Sequence, residues 1–504
     1  MKILVANRGE IAVRILRACR EMGVPSVAVY SDCDRTALHV RQADEAVAIG
    51  PSPAAESYLN IDRVLAAARD TGSTAVHPGY GFLAENAAFA RACRDAKLNF
   101  IGPDPAVIET MGGKTTARQA AIDAGVPVVP GTEALAEALS DDELRGRAEE
   151  IGFPLFVKAV AGGGGRGMRR VGDRGSVVAG VEAARSEAGA AFGESTVYFE
   201  RLVESARHVE VQVLGDQHGT IVPFVERECS VQRRHQKVIE ESPSVAVTPA
   251  IRIALAEAAM ALASAVNYSS AGTLEFLLDP DGCFYFLEMN TRLQVEHPVT
   301  EWVTGIDLVQ WQIRIARGEL LAIDRDQALN PTGHAVECRV YAEDPDAGFV
   351  PAPGRITGLR GPSGPGVRDD SGVEVGFEVP VFYDSMISKV STWAPDRGEA
   401  IVRMERALRE YQIGGITTVI PALLWVLKQD AFLHGNFDTG FLDRALTARA
   451  GRSFSELTDE QVDLAVITAA LFTYLSATDV KHASGEGAAA TPWQRAARLG
   501  GLRS

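Results

Sequence analysis

Apolar and polar positions follow two alternating periods over the first hundred residues. Strand-like runs at 2–6, 26–30, 75–77 and 99–101 are separated by segments of helical period at 11–22, 60–71 and 86–95. This βαβ alternation predicts an α/β protein whose N-terminal part is a parallel, doubly wound sheet. Such sheets bind ligands at the carboxyl ends of their strands. Asn7-Arg8-Gly9-Glu10 and His77-Pro78-Gly79-Tyr80-Gly81 fall there. Neither carries the G-x-G-x-x-G fingerprint, so a dinucleotide is not indicated.

A helix is expected over 115–124, and Pro127, Pro130 and Gly131 then read as a linker. The unit that follows, about 131–203, carries a glycine-rich loop. From about 204 the pattern turns strand-rich, with Val209-Glu210-Val211-Gln212-Val213-Leu214 and a long hairpin about Pro280-Asp281. A mixed body is expected to run to about 447. Beyond it, Thr458 and Gln461 can form a capping box ahead of an amphipathic helix to about Ser476. Residues 483–490 read as a flexible Ala/Gly segment and 491–504 as a basic tail. The expected division is therefore 1–130, 131–203, 204–447 and 448–504, with no internal repeat.

Length and composition narrow the class. At roughly 150 residues per domain, 504 residues suggest about three domains. Apolar residues at 46% and charged residues at 23% exclude a wholly disordered chain. Fifty Lys and Arg against 66 Asp and Glu leave a net charge of −16, which argues against nucleic-acid or anionic-membrane partners. The six cysteines are scattered without a C-x-x-C pair, which fits a reducing cytoplasm. The apolar start is too short for a signal sequence. The run 464–475 is interrupted by Thr468 and Thr473, and it is shorter than the roughly 18 residues that span a bilayer.

Three segments carry candidate chemistry. The strand-like Phe153-Pro154-Leu155-Phe156-Val157-Lys158 leads into Gly162-Gly163-Gly164-Gly165-Arg166-Gly167. Such a loop is either a plain turn or a cradle whose backbone N–H groups close on phosphate oxygens, with Lys158 and Arg166 adding charge. In the hairpin, a turn centred on Pro280-Asp281 places Glu275 opposite Phe286, with Glu288 one diagonal further along the same face. These carboxylates and the Asn290 carbonyl form either a solvated face or an oxygen-rich site for Mg²⁺ or Mn²⁺. In Thr291-Arg292-Leu293-Gln294-Val295-Glu296-His297, strand alternation would put Arg292, Gln294 and Glu296 on one face. That set is either a structural ion pair or a site that binds and deprotonates a small oxyanion. Two basic sites add to these. Gln232-Arg233-Arg234-His235-Gln236-Lys237 reads as a solvated charge run. Arg339 lies on an apolar strand, where its guanidinium needs an anionic partner and a substrate anion is one candidate.

The run from Met289 through Glu301 resembles biotin carboxylase, an ATP-grasp ligase. The similarity extends to Ala6-Asn7-Arg8-Gly9-Glu10-Ile11-Ala12, His77 through Leu83, Gly162 through Arg169, Cys229 through Lys237, Gly333 through Arg339 and Tyr383-Asp384-Ser385-Met386. These segments keep the family's order from Lys2 to about Leu442. The resemblance implies an N-terminal Rossmann-like domain, an ATP-grasp lid and a large domain completing the site. It implies that MgATP and bicarbonate give ADP and carboxyphosphate, followed by carboxylation of the biotin ureido nitrogen. By position, Lys114, Lys158, Gly162, Gly163, Gly164, Gly165, Glu200, Arg201, Leu202, Val203, His208, Gln232 and His235 would hold ATP. Glu275, Glu288 and Asn290 would hold two Mg²⁺ or Mn²⁺ ions. Lys237, Arg292, Gln294 and Val295 would hold bicarbonate, with Glu296 as its base and Arg339 stabilising the enolate-like biotin oxygen.

Gly113, Ala161, Arg201 and Leu202 depart from the family pattern around the nucleotide. The sole Met-Lys pair is Met1-Lys2, so biotin is expected free or on another chain, and too little sequence follows Leu442 for a carboxyltransferase domain. The resemblance thus implies a biotin carboxyl carrier protein and carboxyltransferase subunits as partners, and a homodimer. Two other functions stay open: a different ATP-grasp ligase, and a catalytically weak assembly subunit.

Overall fold

The computed structural model describes residues 1–136, 138–160, 168–449, 451–454 and 459–482. It divides into two compact units, Met1–Arg452 and Ser453–Ser504. The first begins with five parallel strands, β1 (Ile3–Val5), β2 (Ser26–Ser31), β3 (Glu45–Gly50), β4 (Ala75–His77) and β5 (Asn99–Phe100), in the order β3-β2-β1-β4-β5. The helices Gly9–Glu21, Ile61–Asp70 and Ala87–Asp95 connect them, so the doubly wound expectation holds. Strand β3 was not expected: it lies at the sheet edge, half exposed, and Glu45-Ala46 carries no strong apolar alternation.

The helix expected over 115–124 is Lys114–Asp123. The Pro-rich connection after it is held at both ends by isolated bridges, Val128 to Phe286 and Gly131 to Glu200. Gly131 suits the second bridge because a Cβ there would sit 2.7 Å from the Phe199 carbonyl. Next come three antiparallel strands, β6 (Leu155–Ala159), β7 (Met168–Val171) and β8 (Val197–Arg201), in the order β7-β6-β8, covered by the helix Val177–Phe192. Their core is Leu155, Val157, Val171, Val181, Val197 and Phe199.

The largest sheet holds β9 (Arg207–Gly215), β10 (Arg227–Arg233), β11 (Gln236–Ser242), β12 (Ser270–Leu278), β13 (Phe284–Asn290), β14 (His334–Tyr341), β15 (Val367–Ser371) and β16 (Met386–Ala394). They pair antiparallel in the order β13-β12-β9-β10-β11-β14-β16-β15. Strands β9, β10, β11, β12 and β14 are buried along most of their length, so each charged residue on them must find a partner inside the protein.

The second unit contains the helix Asp459–His482, longer than the expected end at Ser476. Leu464, Val466, Ile467, Leu471, Phe472, Tyr474 and Leu475 on it are all exposed. Thr458 of the expected capping box, the Ala/Gly segment and the basic tail lie outside the described residues. No helix among the described residues is long and apolar enough to cross a membrane.

Candidate functional site

The hairpin of β12 and β13 corrects the expected register. Leu278, Leu277 and Phe276 face Phe284, Tyr285 and Phe286, after which the ladder skips Leu287 and pairs Glu275 directly with Glu288. The turn sets the outer ladder one residue off the expected Glu275–Phe286 pairing, and a bulge at Leu287 adds a second, so that a diagonal relation becomes a facing pair of carboxylates. No period-two reading of the sequence anticipates an extra residue in one strand.

The segment 291–296 is a turn rather than a strand, and the helix His297–Thr304 starts directly after it. It still gathers the expected side chains, through hydrogen bonds instead of strand alternation. Arg292 donates to Gln294 Oε1 at 2.9 Å and to Asn290 Oδ1 at 3.1 Å. Gln294 and Asn290 donate in turn to Glu275 Oε1, at 3.1 and 2.9 Å. Glu85, not anticipated from sequence, anchors the turn by accepting from the Thr291 amide at 3.0 Å and Arg292 Nε at 2.7 Å.

Lys237 is the node of the site. Its ammonium lies 2.6 Å from Glu210 Oε2, 2.9 Å from Glu275 Oε1 and 2.7 Å from Glu296 Oε1. Burial alone would lower its pKa, yet these three carboxylates hold it well above the ordinary lysine value. Glu296 is fully buried, and Arg339 reaches its other oxygen at 3.0 Å. Burial would raise the Glu296 carboxyl, but Lys237, Arg339 and Arg227 keep it far below the usual carboxylate range. Glu275 behaves alike: against burial, Lys237 and His208 (3.1 Å from Glu275 Oε2) depress it. Glu288 moves the other way, raised by desolvation and by the facing Glu275 charge.

Arg339 has the anionic partners that its burial requires. Its guanidinium donates to Glu240 at 2.6 Å as well as to Glu296, so the protein itself supplies the anions that its burial demands. The charge run 232–237 divides likewise. Gln232 is buried and bonded to His208 Nδ1 at 3.0 Å, and Arg233 stacks on Phe349. Arg234 and His235, in a turn with positive φ, are the exposed charged members, beside the exposed Gln236. His235 is thus not drawn into the cluster.

On the three-stranded sheet, Lys158 pairs with Glu200. Lys114 stands at the start of its helix with its pKa lowered by lost hydration and by the Lys158 charge, partly offset by Glu288 and Glu200. Leu202 and Val203 are half-buried just past β8, where the Leu202 amide donates to the Pro154 carbonyl at 3.0 Å. Arg201 is exposed. Gly162, Gly163, Gly164 and Gly165 lie outside the described residues.

Sequence reasoning missed Glu210, Arg227, Glu240 and Lys389, all fully buried. Arg227 donates to Glu210 at 2.5 Å, Gln212 at 3.1 Å, Thr300 at 2.9 Å and Thr273 at 3.0 Å, and so holds Glu210 toward Lys237. The usable signal was Glu210 and Gln212 within an otherwise apolar alternating strand.

A facing pair of acidic oxygens with an amide beside it suits a hard divalent cation, and the raised Glu288 carboxyl is a group such an ion would hold ionised. Two other acidic groupings, His208-Glu210-Glu275 and Glu210-Cys229-Glu296, surround the Lys237 ammonium, which already supplies their positive charge. A carboxylate pair on an antiparallel sheet, with Lys158 from a small second sheet and Lys114 from a helix start beside them, is the arrangement of an ATP-grasp ligase.

Comparison with known proteins agrees along the chain. Residues 1–108 match the biotin carboxylase N-terminal domain, 113–324 the carbamoyl-phosphate synthase L chain ATP-binding domain, and 337–444 the biotin carboxylase C-terminal domain. Biotin carboxylase of Nostoc sp. is 53% identical over 88% of this chain and 98% of its own. A pyruvate carboxylase subunit of Methanothermobacter thermautotrophicus is 52% identical over 88% and 89%. Among solved structures, a biotin carboxylase β-γ-ATP complex from Campylobacter jejuni superposes with a TM-score of 0.83 at 45% identity, covering 88% of this chain and 98% of that one. The biotin carboxylase domain dimer of Hydrogenobacter thermophilus 2-oxoglutarate carboxylase, with MgADP and bicarbonate, gives 0.83 at 44% identity over 90% and 98%. The chain belongs to the biotin carboxylase family, and it is an ATP-dependent ligase.

Proposed function

We propose that this chain carries out the first half-reaction of a multi-subunit biotin-dependent carboxylase, in which bicarbonate and MgATP give ADP and carboxyphosphate, and the carboxyl group then passes to the ureido nitrogen of biotin on a separate carrier with release of inorganic phosphate. The observation that carries the reading is the Lys237 node, whose ammonium joins Glu275 to Glu296 and, through Glu296, to Arg339 in one buried network, while Glu288 faces Glu275 from the exposed side of the hairpin. Glu275, Glu288 and Asn290 would hold the divalent cations, whose chemistry is to offset charge on the phosphoryl group in transit.

Bicarbonate binds among Lys237, Arg292, Gln294 and the Val295 backbone. In the free site Glu296 is too acidic for a good base. An anion arriving among Lys237, Arg292 and Arg339 draws those cations toward itself, and the proton affinity of Glu296 rises as they leave. Arg339, held in place by Glu240, then faces the ureido oxygen as negative charge develops there. ATP lies between the two sheets, against Lys114, Lys158, the glycine loop, Glu200 to Val203, His208, Gln232 and His235. The four segments 1–130, 131–203, 204–447 and 448–504 are proposed as N-terminal domain, lid, body and extension.

The partners are a biotin carboxyl carrier protein and carboxyltransferase subunits, in keeping with relatives that are themselves named as carboxylase subunits. A homodimer is supported by the Hydrogenobacter thermophilus domain dimer. The cytoplasm is the proposed compartment, supported by six unpaired cysteines. The test is ATP cleavage by the purified chain with Mg²⁺, with and without bicarbonate and biotin. Turnover that requires bicarbonate and rises with biotin is expected. Cleavage indifferent to both, with free biotin and with a biotinylated carrier, refutes the reading.

A further inference from the structure

Lys389 on β16 is fully buried, and its strand register places it beside Arg339 on one side and Asp370 on the other. A buried ammonium is costly unless something needs it there. Its strongest contact is a 2.5 Å hydrogen bond to the carbonyl oxygen of Val295, inside the turn that carries Gln294 and Glu296. Its charge also acts on the buried carboxyls of Asp370 and Glu337, and two further neighbours come from the segments at the carboxyl ends of β1 and β4, the first of them entering the helix Gly9–Glu21. Glu10 Oε2 lies 3.7 Å away and the Tyr80 ring centre 5.6 Å away.

These segments are themselves fixed. Asn7 Nδ2 donates to the carbonyls of Pro78 and Tyr80, both at 2.7 Å. The chain after β15 presses on the start of the helix Gly9–Glu21 so closely that a Cβ on Gly372 would lie 2.5 Å from the Glu10 amide nitrogen. The Val295 carbonyl and the Glu296 amide belong to one planar peptide. Pinning that oxygen therefore sets the plane from which Glu296 projects. The preceding carbonyl, of Gln294, is held separately by His297 Nδ1 at 2.8 Å.

We propose that Lys389, seated on Glu10 and Tyr80, is a positioning residue that fixes the Val295–Glu296 peptide and thereby the geometry of the bicarbonate site. The inference rests on the bicarbonate reading of the turn. It gives a shared task to two separated motifs, Asn7 through Glu10 and the strand after Tyr383-Asp384-Ser385-Met386. Lys389 touches no reacting atom; it acts through Val295.

The test measures MgATP cleavage by the full chain while bicarbonate is titrated, for Lys389→Met, Lys389→Gln and Gln294→Ala. With the turn released, the KM for bicarbonate in Lys389→Met rises by about 10-fold or more, the scale expected for a small misplacement of a binding group. The KM for MgATP stays unchanged. Lys389→Gln keeps an N–H donor and recovers part of the bicarbonate affinity. An equal rise in both KM values overturns the proposal, because a general loss of structure gives that result. So does an unchanged bicarbonate KM in Lys389→Met while Gln294→Ala raises it. If Gln294→Ala also leaves it unchanged, the bicarbonate site lies elsewhere and both readings fall. Should Lys389→Met not fold, Lys389→Gln is judged by the same criteria.

Discussion

Replacing Lys237 by Met tests the node directly. The change removes one ammonium and leaves Glu210, Glu275 and Glu296, all buried, facing one another with less compensation. Breaking a buried ion pair from one side costs about 3–5 kcal/mol. The first unit has 452 residues, and at ~2.1 cal/mol/K per residue its unfolding entropy near the midpoint is about 1 kcal/mol/K. The expected fall in Tm is therefore roughly 3–5 °C at neutral pH.

The pH dependence separates this cause from lost packing. In the native protein Glu275 and Glu296 are depressed, so they contribute stability above the ordinary carboxylate range that fades as pH falls through their folded values. In the variant burial is less opposed and drives the same carboxyls upward. They then cost stability at high pH, and the cost disappears as they protonate. The gap between native protein and variant should be widest near about pH 7 and narrow toward about pH 3, where the variant carboxyls are protonated. Thermal unfolding followed by circular dichroism at both pH values reads this. A Tm difference equal at the two values, or none at all, refutes the electrostatic account of the node.

Glu296→Gln keeps ATP binding but loses bicarbonate-dependent turnover by roughly 100-fold or more, the range for a lost general base; normal turnover removes Glu296 from that role. Arg339→Ala harms biotin carboxylation more than biotin-independent ATP cleavage, and equal loss of both would assign Arg339 to the ATP half or to the fold. Glu288→Gln keeps the shape of the carboxylate pair but removes one charge, so it weakens Mn²⁺ binding measured by electron paramagnetic resonance. Unchanged Mn²⁺ affinity would take the cation off this hairpin.

Much of the architecture was legible because it is written in short-range pattern. The parallel sheet follows from apolar runs spaced by helical period, and the hairpin from turn residues at Asp279-Pro280-Asp281-Gly282. What stayed illegible depends on departures from that pattern. The turn and the bulge at Leu287 each change which residues face each other by one position, and the bulge lies next to Phe286, which also bridges to Val128 in the linker. The turn 291–296 looks like a strand by alternation, but its side chains bond to one another and to Glu85 from a loop some 200 residues away in the chain.

The same reasoning explains why the network's inner members escaped notice. Arg339 was suspected because a guanidinium on an apolar strand demands an anion, and the demand was real, though Glu240 and Glu296 meet it. Glu210, Glu240 and Lys389 pose the same question on equally buried strands. Their answers lie on different strands and on the N-terminal loops, so no single segment shows both halves of a pair. Once the strands are aligned, each buried charge leads to the next: Arg227 to Glu210, Glu210 to Lys237, Lys237 to Glu296, Glu296 to Arg339, Arg339 to Glu240. With so many charges sharing one network, removing one member shifts the proton affinity of the others. Single substitutions here should therefore be compared through double-mutant cycles, and Lys237 and Arg339 are expected to be strongly non-additive because both act on the same Glu296 carboxylate.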